Sequence, residues 1–232
     1  MTQFYIGTAG WSYLKWDKEF YPEGTKSLEK LSYYASQFNA VELNNSFYHL
    51  PSSEQFLAWQ KQVPSGFSFS VKAPRYITHL KRLKDPEETL PAFLDVISLK
   101  DSGPLFFQLP PTFPLDIDRL DKFLKELSSD QRYAIEFRDV RWHNEEVYTL
   151  LRKNKVAFCL YDMPEGISPR ILTSNFAYVR LRGRDLKGIT PFLKEWRKWL
   201  TANVKEAFVF FDNRESKDLA FGNALAFRDL CG

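Results

Sequence analysis

Cysteine is scarce in this chain: of 232 residues only Cys159, inside an apolar run, and Cys231, near the end, carry a thiol. Two thiols so placed form neither a disulfide framework nor a CxxC metal or redox pair, which fits a reducing compartment. Histidine is equally thin. His49, His79 and His143 fall in separate loops with no HxxxH and no acid–histidine spacing, so metal catalysis is the weakest reading and no metal site is assigned, with an all-carboxylate Mg2+ site from Glu42, Asp162 and Asp212 left as the open alternative. No apolar run reaches the length that spans a bilayer, and the opening MTQFYIGTAGW lacks the regions of a signal peptide. The expectation is a cytoplasmic protein with no membrane partner and no cofactor. Neither sign of charge dominates, since 32 Lys and Arg against 29 Asp and Glu leave +3, which admits an anionic ligand without imposing a nucleic-acid partner. The turn GTAGW is not GxGxxG, and no P-loop, GxSxG elbow or internal repeat is found.

What the chain has in excess is aromatic surface, 16% of residues with 21 Phe and 6 Trp, most of it destined for a core. Eight short runs rich in β-branched and aromatic residues predict strands: FYIGT (4–8), AVELN (40–44), FSFSVK (67–72), PLFFQL (104–109), RYAIEF (132–137), VAFCLY (156–161), FAYVRL (176–181) and EAFVFFD (206–212). Segments of helical period separate most of them, such as Leu120, Phe123, Leu124 and Leu127, or Phe192, Trp196, Trp199 and Leu200. Ser52 with Gln55, Asp85-Pro86 with Glu88, and Thr190-Pro191 mark helix starts. Pro91 should kink or delay the third helix, and DMPEGISPRILTSN (162–175) predicts a long loop in place of the sixth. Strands alternating with helices in this way predict one α/β domain over 1–232, a (β/α)8 TIM-barrel-like fold with eight parallel strands.

The stretch AVELNNSFYHLP (40–51) then needs a reason, because it ends an apolar strand on Glu42, Asn44 and Asn45. Unpaired polar groups in a strand buried on both faces cost free energy. Side chains two apart share a face, and strand after strand carries its polar residue at the C-terminal end. Glu42 goes with Asn44; Ser68 and Ser70 with Lys72; Phe106 with Gln108; Glu136 with Arg138; Phe158 and Leu160 with Asp162; Tyr178 with Arg180 and Arg182; Phe208 and Phe210 with Asp212. That end is the mouth where barrel enzymes keep their sites. Four acids (Glu42, Glu136, Asp162, Asp212) face four cations (Lys72, Arg138, Arg180, Arg182) there. A structural ion-pair network closing the barrel is the plain alternative. The site reading is favoured because seven strands contribute, and on it Glu42→Gln leaves stability level while ligand binding falls.

Several chemistries suit such a mouth. Glu42 and Glu136, from the second and fifth strands, are placed to flank a bond as acid and base, with His79 in the basic loop a further acid–base candidate. Arg180 and Arg182, with Lys72 nearby, suit a phosphate. The loop rings Trp11, Tyr48 and Trp142 can stack on a sugar or base, with Asn44, Asn45, Gln108, Arg138, Asp162, Asp212 and Asn213 as polar contacts. Arg75, Lys81, Arg82, Lys84 and Arg141 leave room for nucleic acid. The expected partner is a small anionic or sugar-phosphate ligand, a nucleotide or nucleic acid, acted on by carboxylate acid–base chemistry. The alternative is a barrel that binds without turnover. The sequence sets no oligomeric state.

The stretches IGTAGWSY, FYP, VELNNSFYHLPS, FSVKAPRYITHLKRL, GPLFFQLPPTF, AIEFRDVRW, AYVRLRGR and FVFFDN, in this order over nearly the whole chain, resemble the YecE-like family, domain of unknown function 72. The resemblance implies a TIM-barrel-like fold with an unassigned activity, and its motif residues fall on Glu42, Asn44, Lys72, His79, Gln108, Glu136, Arg138, Arg180 and Asn213. The family pattern has His after the Arg-Leu pair where this chain has Arg182, so any acid–base role of that His is missing here.

Overall fold

The eight apolar runs become eight parallel strands of one sheet, because β-branched and aromatic side chains on alternate faces give each run two surfaces to bury. The computed structural model describes residues 1–97, 102–182, 188–212 and 219–232. Its strands are β1 (Gln3–Thr8), β2 (Ala40–Leu43), β3 (Ser68–Lys72), β4 (Ser102–Leu109), β5 (Tyr133–Phe137), β6 (Ala157–Met163), β8 (Ala177–Leu181) and β9 (Glu206–Phe211). A two-residue β7 (Gly166–Ile167) folds back antiparallel on β6. The hydrogen-bonded order is β1-β9-β8-β6-β5-β4-β3-β2, a nearly closed barrel consistent with the TIM-barrel-like expectation. No helix among the described residues is long and apolar enough to cross a membrane.

The ends of that order, β1 and β2, are joined by side chains instead of a ladder. Asn39 accepts from the Ile6 amide (2.7 Å) and donates to the Phe4 carbonyl (2.8 Å), imitating a strand edge. The Tyr34 hydroxyl accepts from the Thr8 amide (2.8 Å) and donates to the Ala40 carbonyl (3.1 Å). Gly7 lets the two backbones approach, since a Cβ there would overlap the Ala40 carbonyl oxygen.

Helices α1 (Lys30–Gln37), α2 (Ser53–Gln60), α3 (Pro86–Thr89), α4 (Pro91–Ile97), α5 (Ile117–Lys125), α6 (Glu145–Lys153), α7 (Ile189–Asn203) and α8 (Leu219–Cys231) cover the outside. Ser52 caps α2 by accepting from the Gln55 amide, as its spacing predicts. Pro91 splits the third helix into α3 and α4. Two caps differ from expectation. Asp85 adopts a left-handed conformation and pairs with Lys81 (3.0 Å) without capping α3, and α7 starts at Ile189 after Gly188, one residue before Thr190. No helix follows β6 and β7. The chain instead runs back along the strand, where the Thr173 hydroxyl accepts from the Phe158 amide (2.7 Å) and donates to the Val156 carbonyl (2.6 Å).

Two apolar clusters result. The larger lies between sheet and helices and holds Val41, Phe69, Phe107, Ile135, Phe158, Leu160 and Val179. The smaller fills the barrel with Ala40, Phe106, Ala134, Ala157, Cys159, Phe176, Tyr178, Phe208 and Phe210. Large rings facing alanines fill the taper, and above this plug the interior turns polar.

Candidate functional site

The interior-facing positions that follow the plug are Glu42, Ser70, Lys72, Gln108, Glu136, Arg180 and Asp212, so side-chain alternation gathers six of the sequence candidates at the C-terminal strand ends. Arg180 is their centre. Its Nε donates to Glu42 Oε2 (3.0 Å), Nη1 to Glu136 Oε2 (2.8 Å), and Nη2 to both Glu42 Oε1 (3.1 Å) and Asp212 Oδ2 (3.1 Å). Four donor contacts from a guanidinium with five N–H groups leave almost nothing for an outside anion. Its Cζ stands 4.9 Å from the Phe106 ring centre, and Phe106 in turn stacks on Tyr178 at 5.0 Å.

Neutral donors complete the acids' coordination. Glu42 also accepts from the Tyr178 hydroxyl (2.7 Å) and Asn44 (2.9 Å). Glu136 accepts from Gln108 Nε2 (2.7 Å) and from Arg138, while Gln108 Oε1 takes a bond from Lys72 Nζ (2.8 Å). Three acids, Glu42, Glu136 and Asp212, thus meet three cations, Lys72, Arg138 and Arg180. This answers how the opening strand tolerates its carboxylate: every oxygen of Glu42 is paired, though the residue is 0% exposed.

Burial alone would raise the Glu136 carboxyl, but the charges of Arg180 and Arg138, with hydrogen bonds from Arg180 and Gln108, overcome it and bring it down to about 2. Burial also opposes the charge on Arg180, yet Glu42, Glu136 and Asp212 hold it firmly protonated. Burial and Glu136 push the Cys159 thiol up, so it is no nucleophile here. The Glu136 value carries a stability prediction. Its folded value lies below the ordinary 4.5, so its stabilisation is complete above that pH and is lost as pH falls toward 2. The shift corresponds to about 3 kcal/mol. Denaturant unfolding between pH 6 and pH 2.5 is expected to show this loss, and Glu136→Gln is expected to remove that part of the slope. An unchanged slope in Glu136→Gln would contradict the assignment.

Above the ring lies a cavity of about 560 Å3 lined by Phe47, Tyr48, Arg75, His79, Gln108, Leu109, Pro110, Pro111, Arg138, Tyr161 and Glu165. Arg75 is exposed, and Arg138 lies 5.6 Å from the Tyr161 ring centre. His79 sits on a π-helical turn, Tyr76–Leu80, a distortion frequent at functional sites. Its Nδ1 lies 2.9 Å from the Thr78 hydroxyl, which is also 3.4 Å from the Pro74 carbonyl. A second cavity of about 300 Å3 is lined by Ala9, Tyr13, Asn44, Phe47, Tyr48, Lys72 and Asp212.

Several sequence candidates sit elsewhere. Glu42 and Glu136 do not flank an open space, because the Arg180 guanidinium fills the gap between them. Asp162 is outside the ring. Ala157 and Cys159 face the barrel interior while Phe158 and Leu160 face the helices, so alternation turns Asp162 outward and brings Tyr161 to the mouth. Arg182 pairs with Glu165 past the strand end and does not join Arg180 as an anion clamp. Trp142 is 1% exposed, stacks on Phe137 and donates Nε1 to the Phe113 carbonyl (2.9 Å), which makes it part of the packing. Trp11 packs edge-on against Trp59. Asn45 lines a separate groove with His49, Pro51 and Gln55. Asn213 lies outside the described residues. Among the described residues no group of three His, Cys, Asp or Glu is arranged to hold a metal ion.

Tyr161 and Glu165 are not singled out as site residues by the sequence, and Arg75 enters there only among the basic loop residues that leave room for nucleic acid. For Tyr161 the available signal was its parity with the small residues Ala157 and Cys159, which are the ones a narrow barrel interior admits.

A parallel barrel closed on top by a buried ionic ring, with its open cavities in the strand-to-helix loops, belongs to the TIM-barrel-like class. Within that class the chain is a member of the DUF72 family, described as proteins of unknown function, whose model matches residues 5–232. It is 35% identical over 153 residues to UPF0759 protein YecE of Escherichia coli K12, covering 64% of this chain and 54% of that protein, so the match spans about half the relative's length. It is 29% identical to UPF0759 protein YunF of Bacillus subtilis 168, covering 93% of this chain and 90% of the relative. A crystal structure of a DUF72 family protein from Thermotoga maritima superposes with a TM-score of 0.86 at 30% identity, over 99% of both chains. One from Enterococcus faecalis, 22% identical, shares the fold with a TM-score of 0.78 over 100% of this chain and 98% of that one.

Proposed function

We propose that this protein binds a small phosphate-bearing ligand in the larger mouth cavity, with Arg75 and Arg138 as the anion contacts. The observation that carries the reading is the charge on that wall. Arg75, Arg138 and His79 line it beside a single acid, Glu165, which is already paired with Arg182; Arg138 spends only its Nε on Glu136 below, so its terminal nitrogens remain for the ligand. Two guanidiniums suit bidentate phosphate capture, and Phe47, Tyr48, Tyr161 and two prolines offer flat apolar surface to the rest of the ligand.

The ring beneath is the rigid floor of this site and not its acid–base pair. Glu136 stays ionised far below neutral pH, and both Glu42 and Glu136 spend their oxygens on fixed donors. Proton transfer to or from a bound ligand is assigned to His79, an imidazole that lines the cavity. The site therefore supports recognition directly, with His79 as the group placed for any proton transfer.

Titrating inorganic phosphate or sulfate at low ionic strength is expected to raise the melting temperature. Saturation at a hundred times the Kd adds about 2.7 kcal/mol, which is roughly 5–10 °C for a chain of this size. Arg75→Ala is expected to weaken the anion at least tenfold without moving the melting temperature of the free protein. No anion-dependent rise in the unsubstituted protein would sink the proposal.

A further inference from the structure

We infer that the ligand is a sugar phosphate lying across both mouth compartments, its hydroxyl-bearing part in the smaller one and its phosphate in the larger. The inference rests on the phosphate reading above and goes further in naming what the phosphate is attached to.

Volume gives the first argument, since about 560 Å3 is far more than a phosphate group fills and a second space of about 300 Å3 adjoins it. Phe47 and Tyr48 line both, so these two rings border the two spaces. Phe47 is held in place: the Lys72 ammonium sits 4.6 Å from its centre and the His79 ring meets it edge-on at 4.8 Å. Tyr48 is 67% exposed and stands at the shared edge, where its ring can lie against a ligand that crosses from one space to the other.

Charge gives the second argument. The smaller compartment presents one acid, Asp212, one cation, Lys72, one amide, Asn44, and two phenols, Tyr13 and Tyr48. An anion placed there meets the Asp212 carboxylate, and a cation meets the Lys72 ammonium. A neutral group with several hydroxyls meets neither penalty and finds both donors and acceptors. Aromatic rings beside such a polar set complement the two faces of a sugar, hydroxyls on its edge and C–H groups on its face. The cationic wall carrying Arg75 and Arg138 is left for the phosphate.

Calorimetric titration of the whole chain with inorganic phosphate, glucose 6-phosphate, ribose 5-phosphate, AMP and free glucose tests this. A sugar phosphate is expected to bind at least tenfold more tightly than inorganic phosphate, and free glucose only weakly. Tyr48→Ala and Asn44→Ala should each reduce that advantage to threefold or less while inorganic phosphate binds within about twofold of its original affinity. The inorganic phosphate measured on the same variants shows that they remain folded and that the anion site is intact. If inorganic phosphate binds as tightly as the sugar phosphates, the inference fails and the phosphate reading stands. A preference confined to AMP overturns it in favour of a base in the smaller compartment. Absence of binding by every phosphate compound overturns both.

Discussion

Arg180→Met is expected to destabilise the protein more than any other single substitution in the barrel, by about 5 kcal/mol or more, and to leave much of the chain insoluble. Removing one partner from a buried ion pair costs about 3–5 kcal/mol, because the abandoned charge has no water to turn to. Arg180 serves three acids at once, Glu42, Glu136 and Asp212, and is itself 1% exposed. A domain's whole stability is about 5–15 kcal/mol, so a loss of this size consumes a large share of it. Arg180→Lys keeps the charge and gives up the planar fork, which fixes the direction of each bond, and should fall between the two. The check is soluble yield with urea unfolding at neutral pH. A fall in melting temperature of only a few degrees for Arg180→Met would mean that the acids repack or take up protons at little cost, contrary to this description.

The ring's energetics also explain what could be read from sequence. The eight runs announced their strands because alternation and β-branching are local properties, and the polar residue at each C-terminal end announced a shared mouth. Glu42, Lys72, Gln108, Glu136, Arg180 and Asp212 do meet there. Polarity then misled at Asp162. Its neighbours Phe158 and Leu160 are large and fit between sheet and helices, whereas the small Ala157 and Cys159 fit inside the barrel, so residue volume was the better guide to face. The role of Arg180 was hidden for a different reason. Whether two guanidiniums on adjacent same-face positions point at a ligand or at buried acids depends on strands distant in sequence, and Arg182 lies past the strand where alternation no longer governs. Trp142 shows the same limit for rings, since a loop tryptophan stacks on a ligand or on Phe137 according to where the loop folds.

Glu42→Gln separates floor from site. The substitution keeps the shape of the side chain and removes its charge, leaving Arg180 two of its three acids and giving it an amide nitrogen where it had an oxygen to bond. Sequence reasoning favoured a neutral or stabilising outcome with loss of ligand. The geometry now favours the reverse, because Glu42 is 0% exposed, bonds Arg180, Tyr178 and Asn44, and lines neither mouth cavity. A buried charged network broken on one side loses about 3 kcal/mol or more. The most direct measurement is a pair on the same purified Glu42→Gln protein, urea unfolding and calorimetric phosphate titration at neutral pH. The expected result is a stability loss of about 3 kcal/mol with phosphate affinity within about threefold of the unsubstituted protein. Stability unchanged with phosphate affinity reduced tenfold or more would place Glu42 in the binding site and contradict the account.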